Sequence, residues 1–207
     1  MLTLYFSPGS SAMATHIALH EVGVAFEARP TPLYQNAHRS PEYLAINAEG
    51  KVPTLVIDGR PLTEVAATLW YLARRYPGAG LLPQQGDIEA EARVISWMSF
   101  IASTIHPARR IGVDRWREVF EIAERRLGGR DWTVERYSIA DIHLFRLFWR
   151  YVTTVHPDPA TFSGLMAHYQ RMMARHAVQR TLEIEAAIGY NLSGPGETRG
   201  WSEPATP

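Results

Sequence analysis

The chain has 207 residues with 46% hydrophobic content, 21 Lys+Arg against 21 Asp+Glu, and no cysteine. That length fits one domain or two compact halves around a sizeable core, and zero net charge gives no global reason to expect nucleic acid or anionic membrane as a partner. The missing cysteine excludes a disulfide framework, a thiolate zinc site, an iron–sulfur cluster and a protein thiol nucleophile, and no apolar run approaches the roughly 18 residues of a membrane span.

Leu2, Leu4 and Phe6 alternate with Thr3 and Tyr5, the pattern of a strand with one buried face. Ser7-Pro8-Gly9 breaks it, and Ser10 or Ser11 can cap a helix carrying Met13, Ile17, Ala18 and Val22, stopped by Gly23. Val24, Phe26 and Ala28 predict a second strand. Ser40-Pro41-Glu42 opens a short helix that runs to about Asn47. A strand over Val52–Ile57, a hairpin at Asp58-Gly59 and a strand at Arg60–Leu62 follow, and Thr63 is placed to cap the next helix. The order β-α-β-α-β-β-α demands a mixed sheet with helices packed on it.

From Glu89 to Ala187 the periodicity is helical, with no convincing strand, and Ser138-Ile139-Ala140-Asp141 reads as a capping box. The expected organisation is a unit over 1–78, a linker over 79–88, an all-helical unit over 89–190 and a tail over 191–207. The first residues, MLTLYF, lack the positive segment of a signal peptide, so the expectation is a cytoplasmic protein. His16 and His20 lie one turn apart without a third ligand, so no metal is expected. Arg109-Arg110 and Arg125-Arg126 read as solvated helix faces. Twenty of the 21 basic residues are arginine, and the single lysine is Lys51.

Several linked motifs cover residues 1–187: Leu4-Tyr5-Phe6-Ser7-Pro8-Gly9 with His16-Ile17-Ala18-Leu19, Asn47 with Gly50-Lys51-Val52-Pro53-Thr54-Leu55, Leu62-Thr63-Glu64, and the capping box. Their order and spacing resemble the cytosolic glutathione transferases, most closely the bacterial beta-type branch. The resemblance implies an α+β protein with a thioredoxin-like N-terminal domain and an all-helical C-terminal domain. It also implies a homodimer, with glutathione as co-substrate and a small hydrophobic electrophile met between the domains.

Glutathione has two carboxylates, one ammonium and a thiol, and only the thiolate is a good nucleophile. Ser10 and Ser11 stand where a strand turns into a helix, so amide groups and the helix dipole favour an anion there. A serine hydroxyl can add a donor to the sulfur; the bland alternative is that both serines only cap. Beta-type relatives commonly carry cysteine at the position of Ser11, so mixed-disulfide chemistry is absent here. Tyr5 resembles the family's N-terminal tyrosine and is a second candidate donor.

Val52-Pro53 resembles the family's Val-cisPro, which would turn the Val52 backbone towards a peptide ligand. Lys51 matches the position that reaches the glycyl carboxylate, and Glu64 the acceptor of the γ-glutamyl ammonium. The family usually follows that acid with serine; here it is Val65, which predicts weaker glutathione affinity. His106 falls where beta-type relatives place a histidine near the sulfur, and with Arg109 and Trp116 it is expected to line the electrophile pocket. Two alternatives remain: a non-catalytic ligand-binding protein of the same fold, and a glutathione-dependent isomerase, dehalogenase or ether-cleaving enzyme.

Overall fold

The computed structural model describes residues 1–196, so most of the expected tail lies outside the described residues. Four strands form one mixed sheet in the order β2-β1-β3-β4: β1 (Leu2–Phe6), β2 (Phe26–Pro30), β3 (Thr54–Ile57) and β4 (Arg60–Thr63). β1 runs parallel to β2 and antiparallel to β3, with Leu4 opposite Ala28 and Leu55. The helices α1 (Ala12–Val22), α2 (Pro41–Leu44) and α3 (Val65–Arg75) interleave with the strands in the expected order.

Alternation in β1 works as the pattern requires, because Leu4 and Phe6 are fully buried. Truncating either to alanine would remove about 2–5 kcal/mol. α1 is buried along Ala12–Leu19, packed against α3 and against two helices of the second half, Ile139–Val155 and His176–Ile188. Its position between the sheet and the second helical layer explains why both of its faces are apolar.

Four boundaries differ from the sequence reading. β2 begins at Phe26 and β3 at Thr54, because Val24 precedes the pairing with β1 and Val52-Pro53 is a cis peptide lying before the ladder. The short helix α2 ends at Leu44, where the chain turns through bonds from Ile46 and Asn47 to the Tyr43 carbonyl. Thr63 does not cap α3: it pairs with Thr54 as the last residue of β4, and Glu64 occupies the cap position.

Among the described residues no strand follows Thr63. α4 (Ile88–Phe100) passes through a π-helical turn at Ile101–Ile105 into α5 (His106–Ile111), followed by α6 (Val113–Leu127). α7 (Ile139–Val155) is buried over Ile139–Tyr151 and forms the centre of the helical half, with α4, α6 and α8 (Ser163–Met173) packed on it, while α9 (His176–Ile188) packs on α8 and α1. The capping box at Ser138 and Asp141 is formed, and Asp141 also accepts from Thr133 N–H and His168 Nε2. None of the described helices is long and apolar enough to cross a membrane.

The two halves are tied by polar bonds as well as by packing. Glu21 of α1 accepts both Nε and Nη2 of Arg175, at 2.6 and 2.9 Å, and also the Tyr137 hydroxyl. The bidentate geometry fixes orientation more firmly than a single surface ion pair would.

Candidate functional site

The turn after β1 is held from the helical half. Gly9 has φ +70°, which favours glycine, and its N–H donates to Glu185 Oε2 at 2.7 Å. Glu185 is fully buried on α9 and also meets His16 Nδ1 at 3.0 Å, so the His16–His20 pair serves packing and this bond. Arg146 of α7 donates to the Gly9 and Ser10 carbonyls, each at 2.8 Å. Ser10 and Ser11 then divide their tasks. Ser10 Oγ accepts the Ala12 N–H, whereas Ser11 makes no side-chain cap and lies 3.4 Å from His106 Nε2 on α5.

The loop before β3 is pinned from beneath. Asn47 Nδ2 donates to the Lys51 carbonyl and Thr54 Oγ1, its Oδ1 accepts from Glu49 N–H, and the Tyr43 hydroxyl also donates to the Lys51 carbonyl. Gly50 has φ +57°, and a Cβ there would sit 2.9 Å from the His38 carbonyl. Lys51 is therefore presented outward, with Nζ 2.8 Å from Glu49 and more than half of its side chain exposed. The Val52 amide has no backbone partner among the described residues.

Glu64 adopts φ 69° and ψ 129°, a conformation that costs a non-glycine residue about 1–3 kcal/mol. It places a carboxylate directly before α3, whose first amide groups lack helical acceptors. Val65 is the first residue of that helix and packs into the core.

Two adjoining cavities meet over these residues. The first, about 300 Å³, is lined by Lys51, Val52, Pro53, Thr63, Glu64 and Val65 on the sheet side and by Ala102, His106, Pro107, Arg110 and His143 on the helical side. The second, about 450 Å³, extends past Ser7–Ser11, Tyr34 and Arg39 to Arg109, Arg146, Arg150 and the segment 191–193. Ser11, Lys51, Val52, His106 and Arg110 line both.

The local potential is positive. Burial, followed by Arg146, Arg110, Arg109 and Lys51, pulls His106 down to about 3, so its imidazole is neutral at pH 7. Burial and then the neighbouring His106 and Arg146 pull His143 to about 3 as well. A field that disfavours an imidazolium favours an anion in the same place. Neutral His106 can exchange one hydrogen bond with Ser11 or a ligand, but it supplies no charge and is a weak base.

Two expected site residues lie elsewhere. The Tyr5 hydroxyl accepts from Arg29 Nη1 at 2.8 Å and its ring meets the edge of Tyr43, so Tyr5 lines neither cavity. Trp116 is 2% exposed and packs against Tyr151 and Phe120 in the helical core. Arg109 does line the second cavity. Sequence reasoning missed His143, Arg146 and Arg150. The signal was available: charged residues at 146 and 150, one turn apart, in an otherwise apolar helix need a buried purpose. Among the described residues no group of three metal-ligating side chains occurs.

The sequence matches the family models for the glutathione S-transferase N-terminal domain over residues 9–75 and C-terminal domain over 103–176. It is 31% identical to glutathione S-transferase GST-4.5 of Xanthomonas campestris, over 89% of this chain and 98% of that protein. A maleylacetoacetate isomerase of Rhizobium meliloti is 40% identical over 104 residues, half of this chain and 48% of that protein. The structure of a sphingomonad glutathione S-transferase complexed with glutathione superposes with a TM-score of 0.80 at 31% identity, covering 89% of this chain and 98% of that one.

Proposed function

The chain belongs to the glutathione S-transferase family, and on that footing we propose how its own residues carry out the transfer of the glutathione thiolate to an electrophile. The observation that carries the reading is the position of Ser11. It stands where the two cavities join, with one cavity offering charges of both signs and the other open to a second substrate.

Glutathione occupies the first cavity. Its cysteinyl backbone pairs with Val52, in the manner of an added strand, beside cis Pro53. Lys51 meets the glycyl carboxylate, and Glu64 accepts from the γ-glutamyl ammonium. That ammonium and the γ-glutamyl carboxylate share one carbon, so the carboxylate falls at the start of α3, near the Val65 amide and the helix dipole. The Val65 side chain offers no hydroxyl, and affinity is correspondingly lower than in relatives with serine.

The thiol lies against Ser11. Its proton leaves to water, and the Ser11 hydroxyl donates to the resulting thiolate. The cations that add to the burial of His106 in holding it neutral stabilise the same negative charge. Ser10 is assigned to the turn rather than to sulfur, because its oxygen already accepts the Ala12 amide. Tyr5 has no part in this reading. His106 positions Ser11 by their mutual contact, and Arg109 faces the second substrate. The reading also includes the division at residues 79–88, a cytoplasmic location where glutathione is kept reduced, and a homodimer. Exposed Ile88 and Ile95 on α4 support a partner face, which sedimentation would test.

Titration calorimetry with glutathione tests the reading. Saturable binding that is lost in Glu64→Ala is the expected result. No heat up to millimolar glutathione would overturn it, and would favour a ligand-binding protein of the same fold.

A further inference from the structure

Two buried histidines serve the structure through one ring nitrogen each: His16 Nδ1 meets Glu185 at 3.0 Å, and His168 Nε2 meets Asp141 at 3.1 Å. His143 does not follow them. It is 2% exposed, between Ile142 and Leu144 on the buried stretch of α7, and neither of its nitrogens bonds to a described residue. A leucine or phenylalanine at this point would pack without leaving a polar ring unmatched. What sets His143 apart is its place in the helical wall of the first cavity, which it shares with Ala102, His106 and Pro107.

Burial, then His106 and Arg146, holds His143 at about 3, so its ring is uncharged at neutral pH and carries one N–H. Nδ1 is sealed from solvent without a partner, so the edge that the ring presents to the cavity is the one bearing Nε2. An unmatched acceptor is tolerated in an interior more readily than an unmatched N–H, which assigns the proton to Nε2. The result is a neutral hydrogen-bond donor in the cavity wall. Glutathione, as placed above, does not use it. The peptide follows Lys51, Val52 and Glu64 on the sheet side, and its sulfur lies at Ser11, whose neighbour across the cleft is His106 at 3.4 Å. The helical wall is left to the second substrate, whose reacting end reaches Ser11 where the cavities join.

We propose that His143 is a further catalytic residue of the transfer: its Nε2–H binds a carbonyl oxygen conjugated to the electrophilic carbon and stabilises the charge that reaches that oxygen as sulfur attacks, which selects α,β-unsaturated ketones over alkyl halides. The proposal rests on the glutathione reading above. With 4-phenylbut-3-en-2-one as the probe, the thiol proton leaves to water and the sulfur lone pair forms the C–S bond at the β-carbon. The π pair of the C=C bond shifts towards the carbonyl, giving an enolate whose oxygen accepts from His143. The imidazole keeps its proton. The α-carbon takes back one proton from water, so nothing is oxidised and no group departs. Arg146, which helps to hold His143 uncharged, adds positive potential at the same oxygen.

The experiment compares that enone with benzyl chloride, in which the C–Cl bond breaks, chloride departs with its electron pair and no oxygen gains charge. Each kcat/KM is divided by the uncatalysed rate with glutathione, and the enone-to-halide ratio is followed because it cancels any loss of folded protein. In His143→Phe the ratio should fall about ten- to a hundredfold, the effect of one donor on a developing oxyanion. His143→Gln, which keeps an N–H near the place of Nε2, should retain most of it. A ratio that His143→Phe leaves unmoved, or that falls as far in His143→Gln, overturns the proposal.

A second arm needs no turnover. The infrared C=O stretch of bound 4-phenylbutan-2-one, an unreactive ketone labelled with carbon-13 at the carbonyl, should lie below its value in an apolar solvent and return towards it in His143→Phe. That shift, with no conjugation of either probe, upholds the donor and removes only the transferase reading. Conjugation of both probes, with a stretch that His143→Phe does not alter, removes the donor and leaves the transferase reading standing.

Discussion

Replacing Val65 by serine should tighten glutathione binding while weakening the fold. Val65 is 8% exposed and begins α3 directly after Glu64, beside the position assigned to the γ-glutamyl carboxylate. A hydrogen bond to a charged group contributes about 1.5–3 kcal/mol, so the added hydroxyl should lower Kd about ten- to a hundredfold. Removal of buried methyl groups opposes this in the fold alone, by about 1–2 kcal/mol. For a chain of this size that lowers Tm by about 2–8 °C. Val65→Thr keeps one methyl and the branched shape, so it should gain affinity with a smaller loss of Tm. Calorimetry with glutathione and with cysteinylglycine, which lacks the γ-glutamyl group, separates the effects: the gain appears with the first ligand and vanishes with the second. Equal gains with both ligands, or none in either variant, would refute the placement of that carboxylate.

Four further outcomes follow from the same geometry. Ser11→Ala should leave Tm nearly unchanged and lower conjugation kcat/KM about ten- to a hundredfold, whereas Ser10→Ala should lower stability by about 0.5–2 kcal/mol through loss of the Ala12 bond. Tyr5→Phe should leave the conjugation rate within about twofold, because its hydroxyl faces Arg29; a tenfold loss measured by steady-state kinetics would return Tyr5 to the site. Glu64→Gly should abolish most glutathione affinity yet raise stability by about 1 kcal/mol by relieving the strain at φ 69°, while Glu64→Ala loses the affinity without that gain; calorimetry and urea unfolding measure the two quantities. The histidines give an acid limb to stability. His106 and His143 are held near 3 in the fold, against an ordinary value near 6.5, so the unfolded chain protonates first as pH falls. Their contribution is complete above about pH 6.5 and is lost between there and about pH 3, by about 1.4 kcal/mol per pH unit for each imidazole. Urea unfolding of His143→Asn across that window should show a limb shallower by one proton, and an unchanged slope would contradict the burial argument.

The sheet was legible because its signals are local. Period-two alternation marked β1, Asp58-Gly59 marked the hairpin and Ser138–Asp141 marked the capping box from residues a few positions apart, whereas the Val52-Pro53 cis bond was expected from the family resemblance. Glu64 was legible as a residue but not in its conformation: Thr63 carries the better capping side chain, and only its pairing with Thr54 in β4 passes the cap position to Glu64. Trp116 has the composition of a pocket residue, and its burial against Tyr151, 35 positions away, decides otherwise. The arginine wall was hidden for the same reason. Arg109 stands on α5, Arg146 and Arg150 on α7, and only the packing of those helices over the turn at Gly9 brings them together. The absence of cysteine remained informative throughout, since it leaves the ligand as the only source of a reactive thiol.

The ionisation of bound glutathione tests the central claim most directly. Thiolate absorbance of the complex, titrated against pH, should give an apparent thiol pKa about 1–2 units below the free value near 8.5, and Ser11→Ala should move it upward. A bound thiol that titrates where free glutathione does, unaffected by Ser11→Ala, would contradict the account.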